Sequence, residues 1–176
     1  MRSTAAGVLF ALVCTVGCSS AYRRTEGQWV PGKALSPNSK ILLLPVTGRD
    51  SEACEKMTGA LLGKLSQESV NVVLSDLKRK QSGAAALGHG LGQGYDYVLE
   101  GVLSKWEDKS SGDEAELTLK LYEVASGEVV ASAVHYDHGR ANHWPSDPAD
   151  FITELADCAL AKIFGWKPGV YEGDPK

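Results

Sequence analysis

Hydrophobic and polar positions divide the chain into blocks of two different periods. Lys40-Ile-Leu-Leu-Leu-Pro-Val46 is a nearly unbroken apolar run ended by a turn signal, the pattern of a strand buried on both faces. Asp50-Ser51-Glu52 follows with a capping side chain and an early acid, which opens a helix. Met57, Leu61 and Leu65 recur at helical spacing with Cys54, Ala60 and Leu62 around them, so this helix presents a stripe to a sheet. Val70 to Leu74 reads as a second strand. A strand, helix and strand of these lengths imply a parallel crossover.

Residues 75–94 combine helical spacing at Ala84-Ala85-Ala86-Leu87 and Leu91 with Gly83, Gly88 and Gly90. No GxGxxG register fits, and the run precedes a strand, whereas a dinucleotide loop follows one. Close packing of a helix on a sheet, with a glycine at its C-cap, explains the glycines better. Tyr95 to Trp106 is the longest strand signal. It starts apolar and ends in polar alternation, as expected of a central strand whose far end leaves the core. Ala115, Leu117, Leu119 and Leu121 alternate with Glu116, Thr118, Lys120 and Tyr122, a half-covered antiparallel strand. Ala125-Ser126-Gly127 is a tight turn, and Val129 to Tyr136 pairs back. Asp147-Pro148 caps a last helix, whose stripe is Ile152, Leu155, Ala156, Ala159, Leu160 and Ile163 and whose end is Gly165. The order β-α-β-α-β-β-β-α predicts an α/β (α+β) domain over residues 40–165. It has a mixed β-sheet of about five strands with helices packed on it, followed by a tail over 166–176.

The chain before residue 40 has a different character. Arg2 precedes an apolar run from Ala5 to Val16 that closes on Gly17-Cys18. About 12 positions are too few to span a bilayer, which needs about 20, and they match the apolar region of a secretory signal. Residues 1–17 therefore read as a signal peptide. Residues 18–39, with Gly27, Pro31, Gly32 and Pro37, show no helix or strand period and read as a flexible tether.

Charge and cysteine usage narrow the function. The formal charge of −4 becomes −5 when Arg2 leaves with residues 1–17. An acidic surface without long basic runs argues against nucleic acid as a partner. Cys14 leaves with the signal, and Cys54 and Cys158 remain in the domain. Two such cysteines in an exported chain suggest a disulfide closing a loop of 104 residues (158 − 54). Such a bridge is worth about 4–5 kcal/mol by the chain-entropy argument.

Two resemblances complete the picture. Thr15-Val16-Gly17-Cys18 resembles the lipobox of bacterial lipoproteins, departing from it at Thr15, where an aliphatic residue is preferred. The resemblance implies diacylglyceryl and acyl (palmitate-type) modification at Cys18 and attachment to the membrane by a lipid anchor. Ser19 rather than Asp implies the outer membrane, with the domain facing the periplasm. An ordinary cleaved signal with Cys18 pairing elsewhere is the alternative, and it would leave an odd number of cysteines. Asp96-Tyr-Val-Leu-Glu-Gly-Val102, after a glycine-containing helix end, and the hairpin Leu121-Tyr122-Glu123 to Ser126-Gly127-Glu128 resemble the TolB amino-terminal-like group. That group includes CsgG-type secretion lipoproteins, LpoB-type activators of penicillin-binding proteins and uncharacterised lipoprotein families. The shared motifs are structural and imply fold more than function.

Candidate chemistry is sparse. His135, His138 and His143 surround Asp137, but on a strand His135 and His138 point to opposite faces. They read as surface histidines rather than metal ligands. No GxSxG or paired Cys–His signature is present, and the carboxylates Glu107-Asp108 and Asp113-Glu114 read as a solvated turn. No enzyme, cofactor or metal is expected. Trp106, Trp144, Trp166 and Tyr171 lie at or beyond element ends. They read as lids on the core margin, and the three tryptophans are also the candidate anchors for a protein partner. The expectation is a lipid-anchored, non-enzymatic interaction or scaffold domain of the cell envelope with an envelope protein partner. A part in a CsgG- or LpoB-like secretion or cell-wall-synthase-activating assembly is the alternative.

Overall fold

The computed structural model of the chain describes residues 22–29, 35, 38–76, 83–107, 114–138 and 148–169. These residues form strands β1 (Tyr22–Trp29), β2 (Lys40–Leu43), β3 (Thr47–Gly48), β4 (Asn71–Leu74), β5 (Tyr97–Glu107), β6 (Glu114–Glu123) and β7 (Val129–His138). Helices are α1 (Ser51–Gln67), α2 (Gly83–Gln93) and α3 (Pro148–Phe164). One mixed sheet runs β1-β7-β6-β5-β2-β4, with β3 beside β5. β2 is parallel to β4 and β5, while β5, β6, β7 and β1 are successively antiparallel.

Each expected element is present, and the alternation of side chains decides the layers. α1 and α3 cover one face over a core that includes Leu43, Leu61, Leu99, Leu119 and Leu155. α2 covers part of the other face, over Leu42, Leu44, Val98 and Val124. Both faces of β2 are therefore covered, which is why its residues read as a continuous apolar run. α2 approaches the sheet through Gly90, where a Cβ would lie 3.1 Å from Val124 and 3.2 Å from Val98. The apolar run does not stay a strand as far as Val46. Pro45 cannot donate to a ladder, so the strand ends at Leu43 and the Val46 N–H donates to Thr58 Oγ1 at 2.9 Å. At the start of α1, Asp50 accepts from the Ala53 N–H at 2.9 Å as the expected cap.

The main correction lies before residue 40. Within the span read as a tether, residues 22–29 form β1, which pairs antiparallel with β7 along its whole own length, from Tyr22–His138 to Trp29–Ala131. With β1 and the two-residue β3 beside β5, the sheet has seven strands among the described residues rather than about five. β1 lacks the expected alternation because the residues it turns toward α3 include Thr25 and Gly27, which are small. A Cβ on Gly27 would stand 2.9 Å from the Ser132 carbonyl oxygen and closer still to the Lys162 side chain. The ladder with β7 makes the strand, and the missing side chain at Gly27 leaves room for Lys162 of α3; hydropathy registers neither.

Candidate functional site

β1 and β7 meet α3 over a buried polar seam. His135 and Asp137, two apart on β7, both point into the domain and are 1% and 2% exposed. His135 Nδ1 and Thr25 Oγ1 of β1 are 2.6 Å apart, the direction of the proton following the imidazole tautomer. From α3, Glu154 and Asp157 enter the same side of the sheet, Asp157 being 1% exposed. Asp157 is tied on two sides: Lys64 Nζ of α1 stands 3.0 Å from Oδ1, and the Gly169 N–H donates to Oδ2 at 2.6 Å. Lys64 also reaches Glu68 at 3.0 Å. The hydrogen bond to Asp157, then that to Glu68, hold the Lys64 pKa above its ordinary value against the opposing effect of burial. Burying a carboxylate requires such partners. This seam joins α1, α3 and the segment after α3.

The opposite face of β5, β6, β7 and β1 extends beyond α2. Its central row, in register, is Val102, Thr118, Val134 and Glu26. The next row places Glu100 opposite Lys120, an opposite-charge cross-strand pair. Tyr122 donates to Glu100 Oε2 at 2.8 Å, and burial, then this carboxylate, push its hydroxyl up to about 12. Toward the other end Glu114 binds both Lys105 and the Tyr136 hydroxyl. The hydrogen bond to Glu114 holds both of their pKa values above the ordinary ones. Arg24 pairs with Glu26 on β1. The face is thus a small aliphatic centre inside internally compensated charges. Mixed surfaces of this kind suit protein contact.

Among the described residues, those singled out from sequence are not gathered in one place. Cys18, Trp144, His143 and Tyr171 lie outside the described residues. Cys54 and Cys158 are thiols, and the expected disulfide between them is not formed. Cys158 follows Asp157, which meets α1 at Lys64, whereas Cys54 lies ten residues earlier, about 15 Å along the helix. A disulfide needs Cα atoms within about 7 Å. Trp106 lies against Phe151, with centroids 5.8 Å apart, and Trp166 stacks on Phe164 at 4.8 Å. Both pack on the main core as lids, separated by the 13 residues from Phe151 to Phe164, about 20 Å of helix. His135 is a core residue, which corrects its reading as a surface histidine: its partner Thr25 lies on the strand that had been read as tether. Among the described residues, no group of three His, Cys, Asp or Glu side chains could hold a metal ion. Asp157 and Glu154 were missed, although two acids inside the apolar run of α3 are a sequence signal for a buried polar contact.

No protein family matches the chain by sequence, and no curated protein does so either. Solved structures do match. The PelC dodecamer from Paraburkholderia phytofirmans superposes with a TM-score of 0.67 at 19% identity, over 83% of this chain and 99% of that one. The hypothetical protein CT253 from Chlamydia trachomatis matches at TM-score 0.50 and 12% identity, over 73% and 98% of the two chains. The C-terminal domain of LpoB from Escherichia coli is matched at TM-score 0.46 and 19% identity, over 61% and 88%. At these identities the likeness is one of fold. The α+β architecture expected from the sequence, helices packed on a mixed sheet, is the fold observed.

Proposed function

We propose that this chain is a lipid-anchored protein of the bacterial envelope whose domain works by assembling with protein partners, further copies of itself among them, rather than by catalysis. The observation that carries this reading is the superposition on 99% of a PelC chain known as a dodecamer. The lipobox-like Thr15 to Cys18 supports the anchor, and Ser19 supports the outer membrane with the domain on its periplasmic side. No helix among the described residues is long and apolar enough to cross a membrane; attachment is assigned to the lipid on the motif at Cys18. Three acyl chains make it effectively permanent, whereas one is marginal. The open sheet face, with its Val102–Thr118–Val134 row, offers a surface of the required kind.

Two measurements test the reading. Light scattering of the detergent-purified lipidated chain is expected to give a mass of many copies. A monomer at all concentrations, with no envelope protein recovered by crosslinking in cells, would overturn assembly. Cys18→Ala is expected to move the protein from the membrane to the soluble fraction. If that variant stays with the membrane, the anchor is elsewhere.

A further inference from the structure

β1 begins at Tyr22, four positions after Cys18. Resting on the lipid anchoring proposed above, we propose that the end of the sheet where β1 starts is held against the bilayer surface, so that the domain has a fixed membrane-facing pole.

Polymer geometry sets the range. Chain advances at most about 3.3–3.6 Å per residue, so four steps keep Tyr22 within about 14 Å of the lipidated residue. Register then defines the pole. Tyr22 pairs with His138, His138 with Glu114, and Glu114 with Glu107, so four strand ends lie side by side across about 15 Å. The N-terminal part of α3 belongs to the same pole, because Phe151 packs against Trp106 of β5. The opposite pole carries the β6–β7 turn at Ser126 and Gly127. β7 has ten residues, so the two poles are about 33 Å apart.

A tether running to residue 39 would not select a pole, since a flexible coil of that length averages about 25 Å, comparable with the domain itself. Pairing of β1 removes that freedom. The strands then run away from the membrane, and both the open sheet face and the β1 edge are turned sideways, toward neighbours anchored in the same leaflet. Among the described charges near this pole, Lys105 pairs with Glu114 and Arg24 with Glu26, and the further carboxylates Glu107 and Glu116 stand on β5 and β6 beside them. These charges offer no cationic patch to anionic headgroups, and contact with the bilayer is assigned to chain length.

Energy transfer to labelled headgroups tests this on the full lipidated chain in phosphatidylcholine vesicles. A donor is placed by Glu107→Cys or Ser126→Cys in a Cys158→Ser background, Cys54 being only 1% exposed. Transfer from position 107 is expected to exceed that from 126 by about twofold or more, given a height difference near 30 Å. Inserting about 20 Gly/Ser residues between Ser20 and Tyr22, a coil of about 25 Å, is expected to bring the two toward equality. Equal or inverted transfer in the uninterrupted chain would overturn the orientation. Absence of acyl groups at Cys18 by mass spectrometry, with no vesicle binding, would instead overturn the anchoring on which it rests.

Discussion

Lys64→Ala isolates the ion pair that joins the two large helices. Asp157 is 1% exposed, and the variant removes the Lys64 ammonium from its Oδ1 while the Gly169 N–H still donates to Oδ2 at 2.6 Å. Removing one partner of a fully buried pair costs about 3–5 kcal/mol. Lys64 is 19% exposed and its end is partly hydrated in the native state, so we expect less, about 2–3 kcal/mol. For a domain of this size each kcal/mol moves Tm by roughly 3–5 °C, giving a fall of about 6–15 °C in a thermal melt. Lys64→Met with Asp157→Leu removes both charges and is expected to recover part of the loss, because no buried carboxylate is then left lacking the Lys64 cation. The pH dependence has a definite sign. The folded Lys64 pKa is raised above 10.5, so its stabilisation is fully present below the unfolded value. It disappears as pH rises through the folded one. The wild type should therefore lose stability above about pH 10.5 by an amount that Lys64→Ala does not share. A loss below about 1 kcal/mol, or a double variant no better than the single one, would refute the argument.

Other substitutions probe separate parts of the fold. Tyr122→Phe deletes the hydroxyl bound to Glu100 and is expected to cost about 0.5–1.5 kcal/mol in urea unfolding. Because the folded Tyr122 pKa is raised to about 12 from 10.0, it should also flatten the loss of stability between those two pH values. Gly27→Ala forces a Cβ to within 2.9 Å of the Ser132 carbonyl. We expect about 1–3 kcal/mol of strain, read as faster amide exchange over residues 22–29 with β5 and α1 still protected. Thiol titration of the unfolded, unreduced domain is expected to count two thiols, from Cys54 and Cys158, and none would restore the disulfide.

The periodic part of the fold was legible in residue order. Leu117, Leu119 and Leu121 had to share a face whatever surrounded them, and Met57, Leu61 and Leu65 had to form one stripe, because backbone geometry sets those periods locally. The lipobox-like site at Cys18 is likewise a short linear pattern, readable without a fold. β1 was not legible. Tyr22 to Trp29 carries no apolar alternation, and it becomes a strand because β7 presents an edge to it and because Gly27 lets α3 pass. The buried polar contacts are the same kind of feature: Thr25 and His135, and Lys64 and Asp157, are far apart in the chain, and only the packing of β1 on β7 and of α1 on α3 makes them partners. Cys54 and Cys158 show the converse, since their number suggested a bond that helix geometry keeps about 15 Å out of reach. Local periodicity and linear motifs belong to the chain by itself. Edge pairing, close approach and the partnering of buried charge exist only once distant segments meet, and the tertiary structure decided those.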